Sequence, residues 1–219
     1  MNKEQLSSLL QIRDMYATDV SKVAYVHSQI FVDYFLTHLG QRFLECFYQQ
    51  FVERSGNYGL VASYDEKIVG FVVGTTDSAE LYRHFYRQNF VSLALILIGR
   101  FSADSFVRRS IMSRMVHMRL ALQSLVHRSQ PRSTKEVSST NSSAASSRLL
   151  SIGVLPEVQG YGIADKLAQH FCERLYLDNV SLVGLSVRMN NDRAIAFYEK
   201  TGWKRERVSE TTIYFIREL

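Results

Sequence analysis

The sequence predicts a mixed α/β (α+β) domain: one sheet with helices packed against it. Three observations point there. Residues 149–175 read as a short apolar run, a proline, a glycine-rich turn and then apolar residues at helical spacing. Residues 60–74 and 203–216 each read as a pair of apolar runs around a polar turn, the signature of a β-hairpin. Between them lie stretches with apolar residues three and four apart, which are amphipathic helices.

Taken in order, Leu10 and Ile12 suggest a first strand, closed by Arg13 and Asp14. Thr18 is placed to cap a helix carrying Val20, Val23, Ala24, His27, Ile30 and Phe31 on one face. His27 therefore sits on or beside an apolar stripe, where a histidine is either a hydrogen-bonded core residue or a catalyst. Residues 33–40 break that helix, and Phe43, Phe47 and Phe51 define the next. Leu60 to Tyr64 and Ile68 to Gly74 form the second and third strands around the turn Asp65-Glu66-Lys67.

A long insertion, residues 76–132, then precedes the fourth strand. Residues 78–88 predict a short helix and 90–98 a continuous apolar run. Residues 104–128 predict a longer helix with Val107, Ile111, Met115, Met118, Leu122 and Leu125 as its stripe. Arg108, Arg109, Arg114, Arg119 and Arg128, with His117 and His127, lie off that stripe. Such a basic amphipathic helix packs on the core, lies on a membrane surface, or makes a homodimer contact. The apolar run at 90–98 is most simply buried against it. Residues 133–147, rich in serine, read as a flexible linker back to the sheet.

The stretch with the most chemistry follows. Leu149, Leu150, Ile152 and Val154 form the fourth strand, which Pro156 ends because proline cannot donate to a ladder. Gln159-Gly160-Tyr161-Gly162-Ile163-Ala164 makes the turn, and Ile163, Leu167, Phe171 and Leu175 mark the helix. The first turn of a helix has N–H groups without intrahelical partners, and the helix dipole adds positive charge there. Glycines let the backbone approach a ligand, so the turn can cradle a pyrophosphate. A dinucleotide fingerprint is excluded because its third glycine position is Asp165, and a P-loop because no Gly-Lys-Ser/Thr follows. Val183, Leu185, Val187 and Met189 alternate along a fifth strand. Asn191 then caps a helix with Ala194, Phe197 and Tyr198, Gly202 ends it, and the final hairpin closes the chain.

Gln159, Gly162 and Ala164 match Q/R-x-x-G-x-G/A, the coenzyme A pyrophosphate loop of the GNAT family of N-acetyltransferases. The segment Asn191 to Trp203 (NDRAIAFYEKTGW) resembles the same family's N-x-x-A-x-x-x-Y-E-K-x-G-F segment, with tryptophan as the aromatic. The chain is thus identified by resemblance as a single GNAT domain over 1–219. The resemblance implies a mostly antiparallel twisted sheet of about seven strands with helices on both faces. Strands four and five would splay; the helical insertion between strands three and four departs from the family, most of whose members join those strands by a tight turn. It implies acetyl-CoA as cosubstrate, with no metal, held by Ile152, Gly153, Val154, Gln159, Gly160, Tyr161, Gly162, Ile163, Ala164 and Asn191. Pantetheine would slot against the fourth strand, where Gly153 fits a bulge, and an N–H near Val154 would polarise the thioester carbonyl. Tyr198 would protonate the departing sulfur. Tyr34, Thr37 and Tyr48 would lie on the acceptor side, or else be packing aromatics and a cap.

The general base stays open, since strand four carries no carboxylate. Water with backbone carbonyls and Ser151, His27, or an acceptor amine of near-neutral pKa are the alternatives. The reaction expected is direct attack of a primary amine in a ternary complex, the amine being a small molecule or sugar-linked. A protein N-terminal or lysine acetyltransferase is the second reading, and a non-catalytic acyl-CoA-binding or scaffolding protein the third. With the basic insertion over the start of strand four, an anionic acceptor is favoured.

Composition bounds the rest. Length 219 and 46% hydrophobic residues suit one globular core. A net charge of +5 suits a polyanionic cosubstrate as well as nucleic acid, and no nucleic-acid module accompanies the arginines. Cys46 and Cys172 make no disulfide framework or zinc spacing, the opening residues lack a signal-peptide core, and no run reaches membrane-span length. The expected location is the cytoplasm.

Overall fold

The computed structural model describes residues 9–109 and 145–219. Seven strands form one sheet in the order β1-β2-β3-β4-β5-β7-β6. They are β1 (Gln11–Asp14), β2 (Asn57–Tyr64), β3 (Lys67–Thr75), β4 (Ser147–Val154), β5 (Leu182–Arg188), β6 (Lys204–Val208) and β7 (Thr212–Glu218). All neighbours are antiparallel except β4 and β5. On the front of the sheet lie α1 (Val20–Ile30), α2 (Phe35–His38), α3 (Gln41–Glu53) and α4 (Ser78–Ala103), and behind it α5 (Ile163–Leu177) and α6 (Asp192–Lys200).

Two apolar clusters hold these layers. In front, Val23, Leu44, Phe47 and Tyr48 of α1 and α3 pack on Phe71 and Val73, with Leu81 and Phe85 of α4. Behind, Leu167, Phe171 and Leu175 of α5 pack on Leu149, Val183 and Phe215. These are the faces the sequence periodicities marked. The β2–β3 strands run longer than their apolar cores, and the turn between them holds Asp65 and Glu66 at φ 48° and 62°, the pattern of a two-residue hairpin loop.

Several expectations need correction. Thr18 does not cap α1. A 3-10 turn (Ala17–Asp19) precedes the helix, and its Asp19 carboxylate accepts from the Tyr16 N–H at 2.9 Å and pairs with Arg13 at 2.6 Å. The break after α1 contains the short helix α2. Residues 78–88 and 90–98 are not two elements but one helix. Asp77 caps it by accepting from the Glu80 N–H at 3.0 Å, and no proline interrupts it. The apolar run is only partly buried: Leu93 is covered, whereas Phe90, Leu95 and Ile98 are about two-thirds exposed. β4 begins at Ser147, which is buried opposite Val183, so the linker ends before it. Met189 lies beyond β5 and is exposed. After α4 the chain is helical again at 105–109, anchored by a hydrogen bond between His38 and Asp104 at 2.9 Å. The rest of the 104–128 helix, and 110–144 as a whole, lie outside the described residues.

Candidate active site

The decisive feature is a cleft between β4 and β5. The two strands pair only at Ser147↔Val183 and Arg148↔Gly184. Beyond that register β4 continues to Val154 and β5 to Arg188 without pairing to each other, so the facing edges are free to take a ligand as an added strand. Alternation tells which groups face the gap. The Leu155 N–H donates to Val69 of β3, so the N–H and C=O of Val154, one residue back, point away from β3 toward the cleft.

At the wide end of the cleft stands the glycine turn. Gly160 and Gly162 have φ of 85° and 77°, and no protein atom lies within 4 Å of a Cβ built on either. Left-handed backbone, not internal crowding, therefore demands glycine at both. Gln159 donates its side-chain amide to the Val154 carbonyl at 2.9 Å, tying the loop to the end of β4. α5 starts at Ile163 with Gly162 as a cap that offers no side chain. The N–H groups of Ile163 and Ala164 thus open onto the mouth of the cleft, with the helix dipole behind them. This arrangement fits a diphosphate.

The bulge expected at Gly153 lies elsewhere. Gly153 pairs regularly with Phe71, and its missing side chain admits α1: a Cβ there would stand 2.9 Å from Ile30 Cδ1. The irregularity is upstream, where Val73 faces Ser151 and Gly74 faces Leu149, leaving Leu150 unmatched. The extra residue turns Ser151 to the front, whereas strict alternation would send it behind with Leu149. Gly74 is required opposite, because a Cβ there would lie 2.5 Å from the Arg148 carbonyl and collide with Phe171.

The bulge brings together three residues that sequence reasoning held apart. His27 Nδ1 lies 2.6 Å from the Tyr48 hydroxyl, and Ser151 lies close enough to Tyr48 to oppose the rise that burial gives its pKa. Tyr48 is fully buried. His27 is also buried, its Nε2 has no partner, and burial pushes its pKa down to about 4. It is neutral at physiological pH. Thr37 spends its hydroxyl on the Phe31 carbonyl at 2.6 Å, which makes it a turn cap. Tyr34 is half-buried at the front, with the Arg188 guanidinium 4.5 Å above its ring.

On α6, Asn191 caps the helix by accepting from the Ala194 N–H at 3.1 Å. Tyr198 is buried against Trp203 and Phe215, in one cluster with Val187 of β5. Burial raises its pKa, so its phenol keeps its proton at any physiological pH. A hollow of about 690 Å³, lined by Cys172, Tyr176 and Arg217, lies away from the cleft at the far end of α5. Among the described residues no three metal-ligating side chains cluster.

Residues 137–203 match the model of the acetyltransferase (GNAT) family, a span that holds β4, the glycine turn, α5, β5 and α6. Over that segment the sequence matches the GNAT acetyltransferases. No curated protein sequence matches it, so the solved structures carry the comparison of fold. A PaiA N-acetyltransferase from Thermoplasma acidophilum, solved with coenzyme A, is 12% identical with TM-score 0.53, covering 96% of this chain and 99% of that one. The ribosomal-protein-S18-alanine N-acetyltransferase of Escherichia coli is 12% identical with TM-score 0.54, covering 95% and 93%. A protein named SsHAT is 20% identical with TM-score 0.61, covering 95% and 98%. The family match implies acetyl-CoA as acyl donor and an amine as acceptor. The cleft residues fit that donor: free strand edges for the pantetheine amides and bared helix N–H groups for the pyrophosphate.

Two arginines of the front face had no sequence signal. Arg148 and Arg188 looked like ordinary strand positions, and only the bulge and the register reveal that both share the cleft's front with Ser151.

Proposed function

We propose that this GNAT enzyme acetylates the primary amine of a small-molecule or sugar-linked acceptor by direct attack in a ternary complex. The observation that carries the reading is the early end of β4–β5 pairing, after Arg148 and Gly184. The contact of Arg188 with Tyr34 bridges the front of the cleft from β5 to the α1–α2 connection, which favours a compact acceptor over an extended peptide.

The roles of the residues follow from their chemistry. Ile152, Gly153 and Val154 supply the strand edge, with the Val154 N–H set to polarise the thioester carbonyl. Such a preorganised donor is worth roughly 3–4 kcal/mol in acyl transfer. Gln159, Gly160, Tyr161, Gly162, Ile163 and Ala164 form the diphosphate loop, and Asn191 fixes the start of α6 beside the pantetheine path. Tyr198, held protonated, donates to the leaving sulfur. Ser151 meets the incoming amine, oriented by Tyr48 and by His27 behind it. With its pKa near 4, His27 positions this chain and is not the proton's final acceptor. That assigns catalysis to an amine already neutral in part, such as one on a sugar.

The insertion from residue 76 walls the acceptor side, supported by Tyr82 of α4, which is close enough to Arg148 to influence its charge. The chain acts as one domain in a reducing cytoplasm, consistent with two free thiols and no described helix long and apolar enough to cross a membrane. The test is acetyl-CoA turnover, followed by free-thiol release, against amino sugars, alkylamines and peptides. Turnover of amino sugars is expected. Turnover of peptides alone would replace this acceptor with a protein one, and coenzyme A binding without release for any amine would leave a non-catalytic binder.

A further inference from the structure

We propose that His38 is a positioning residue for the acceptor: by donating to Asp104 it lets the insertion hold the front wall of the cleft, and so sets how tightly the acceptor amine binds. The inference rests on reading the front of the cleft as the acceptor side of an amine acetyltransferase.

Residues 31–40 build that wall. At one end, Phe31 and Ile30 fill the space that a side chain on Gly153 of β4 would take. Tyr34 carries the Arg188 guanidinium of β5 over its ring at 4.5 Å. The wall therefore touches both strands of the cleft. Backbone bonds link it along its length: the Tyr34 N–H donates to the Phe31 carbonyl at 3.1 Å, the Thr37 N–H to that of Tyr34 at 3.0 Å, and the Gly40 N–H to that of Thr37 at 3.0 Å. A shift at His38 is thereby passed to Tyr34.

The wall does not hold itself. α2 is a single turn, too short to be stable alone, and none of its residues is fully buried. The insertion supplies the anchor. His38 Nδ1 lies 2.9 Å from Asp104 Oδ2, and the Phe106 ring stacks on the imidazole with centroids 4.2 Å apart. The hydrogen bond from His38, with those from the Val107 and Phe106 N–H groups, holds the Asp104 carboxyl below its usual pKa against desolvation. An ionised carboxylate only accepts, so Nδ1 carries the proton and donates. The other oxygen of Asp104 takes the Phe106 N–H at 2.8 Å and the Val107 N–H at 3.3 Å. Val107 is fully buried in the front cluster. One carboxylate thus joins the turn beside the cleft to a core-anchored segment of the insertion. α4 presses on the same turn, since a Cβ on Gly40 would collide with the Arg100 guanidinium.

The experiment uses the full chain, with glucosamine and hexylamine as acceptor probes and thiol release from acetyl-CoA giving kcat and KM. His38→Phe keeps a ring for Phe106 to stack on and removes the donor. It should raise the KM for the amine about five- to tenfold, the scale of one hydrogen bond to a charged group. The KM for acetyl-CoA should move less than about twofold. His38→Asn, whose amide can stand where Nδ1 does, should recover most of the loss. Asp104→Ser keeps a capping oxygen but falls short of the imidazole, so it should match His38→Phe, and the double variant should be no worse than either. Hydrogen exchange at the Thr37 and Gly40 amides should be faster in His38→Phe. An unmoved amine KM, an equal rise in the acetyl-CoA KM, or additive losses in the double variant would overturn the positioning role while leaving the acetyltransferase reading intact. Coenzyme A binding in the wild type without thiol release for either amine would sink that reading, and this role with it.

Discussion

His27 and Tyr198 are both aromatic groups taken out of water, and the same cause acts on each in its own direction. Burial disfavours a charged form, so the imidazole loses its proton more readily and the phenol keeps its proton longer. For His27 the sign of the stability effect is fixed. The unfolded imidazole protonates near 6.5 and the folded one only near 4, so stability is full above 6.5 and falls as pH drops toward 4. One such group gives a slope of up to about 1.4 kcal/mol per pH unit in that window. His27→Gln should flatten the window in melts taken from pH 7 to 4, and an unchanged slope would move the effect to other groups. For Tyr198 the prediction is kinetic. Tyr198→Phe should lower kcat for thiol release while coenzyme A affinity, read by titration, changes less than about twofold. Collapse of binding would make the ring a packing residue and nothing more. The Asn191 cap was legible in the sequence because it acts on backbone three residues away, whereas the Gln159 bond to the Val154 carbonyl was not foreseen. The link from His27 through Tyr48 to Ser151 was not, because it joins α1, α3 and β4 across 124 positions of chain.

At the scale of elements, the glycine turn and the bulge carry the site. Gly162 holds a left-handed φ of 77° at the start of α5, so Gly162→Ala should cost about 1–2 kcal/mol in the loop's backbone. Its readouts are weakened coenzyme A binding and a melting temperature lowered by a few degrees. Gly74→Ala attacks the bulge from β3, where the new Cβ meets the Arg148 carbonyl at 2.5 Å and the Phe171 ring. A loss of about 1–3 kcal/mol is expected in denaturant melts, with activity falling as Ser151 loses its place. The glycine turn could be read from the sequence because left-handed backbone and glycine are locally coupled. The bulge could not, since Leu149, Leu150 and Ser151 spell an ordinary strand and only pairing with β3 exposes the extra residue. α4 teaches the same lesson in another form. Its apolar run suggested a separate buried element, yet helix continuity from Asp77 onward carries Phe90 and Ile98 to the surface.

Across the whole molecule, the sheet is laddered as two halves joined by the short β4–β5 pairing. Strands β1 to β4 are tied by continuous antiparallel ladders, as are β5 to β7, whereas two register pairs alone join the halves. Hydrogen exchange should therefore slow at the cleft-facing amides of Ile152 and Val154 when coenzyme A is added. The β1–β2 amides, bonded within their own ladder, should not respond. Protection without ligand along the whole of β4 would mean that the strands close on each other in solution.

The sequence by itself determined the α/β class, the hairpins, the amphipathic faces and the glycine turn, because each depends on residues close together in the chain. Left-handed backbone needs glycine, a ladder ends at proline, and a buried face repeats at the helical or strand period. Only the tertiary structure decided where β4 and β5 part, that Ser151 faces forward, and that Arg148 reaches across Gly184 to Tyr214. Those outcomes depend on strand register, and register is set by the packing of α1, α3 and α5 on opposite faces of the sheet, a balance no single stretch of sequence contains.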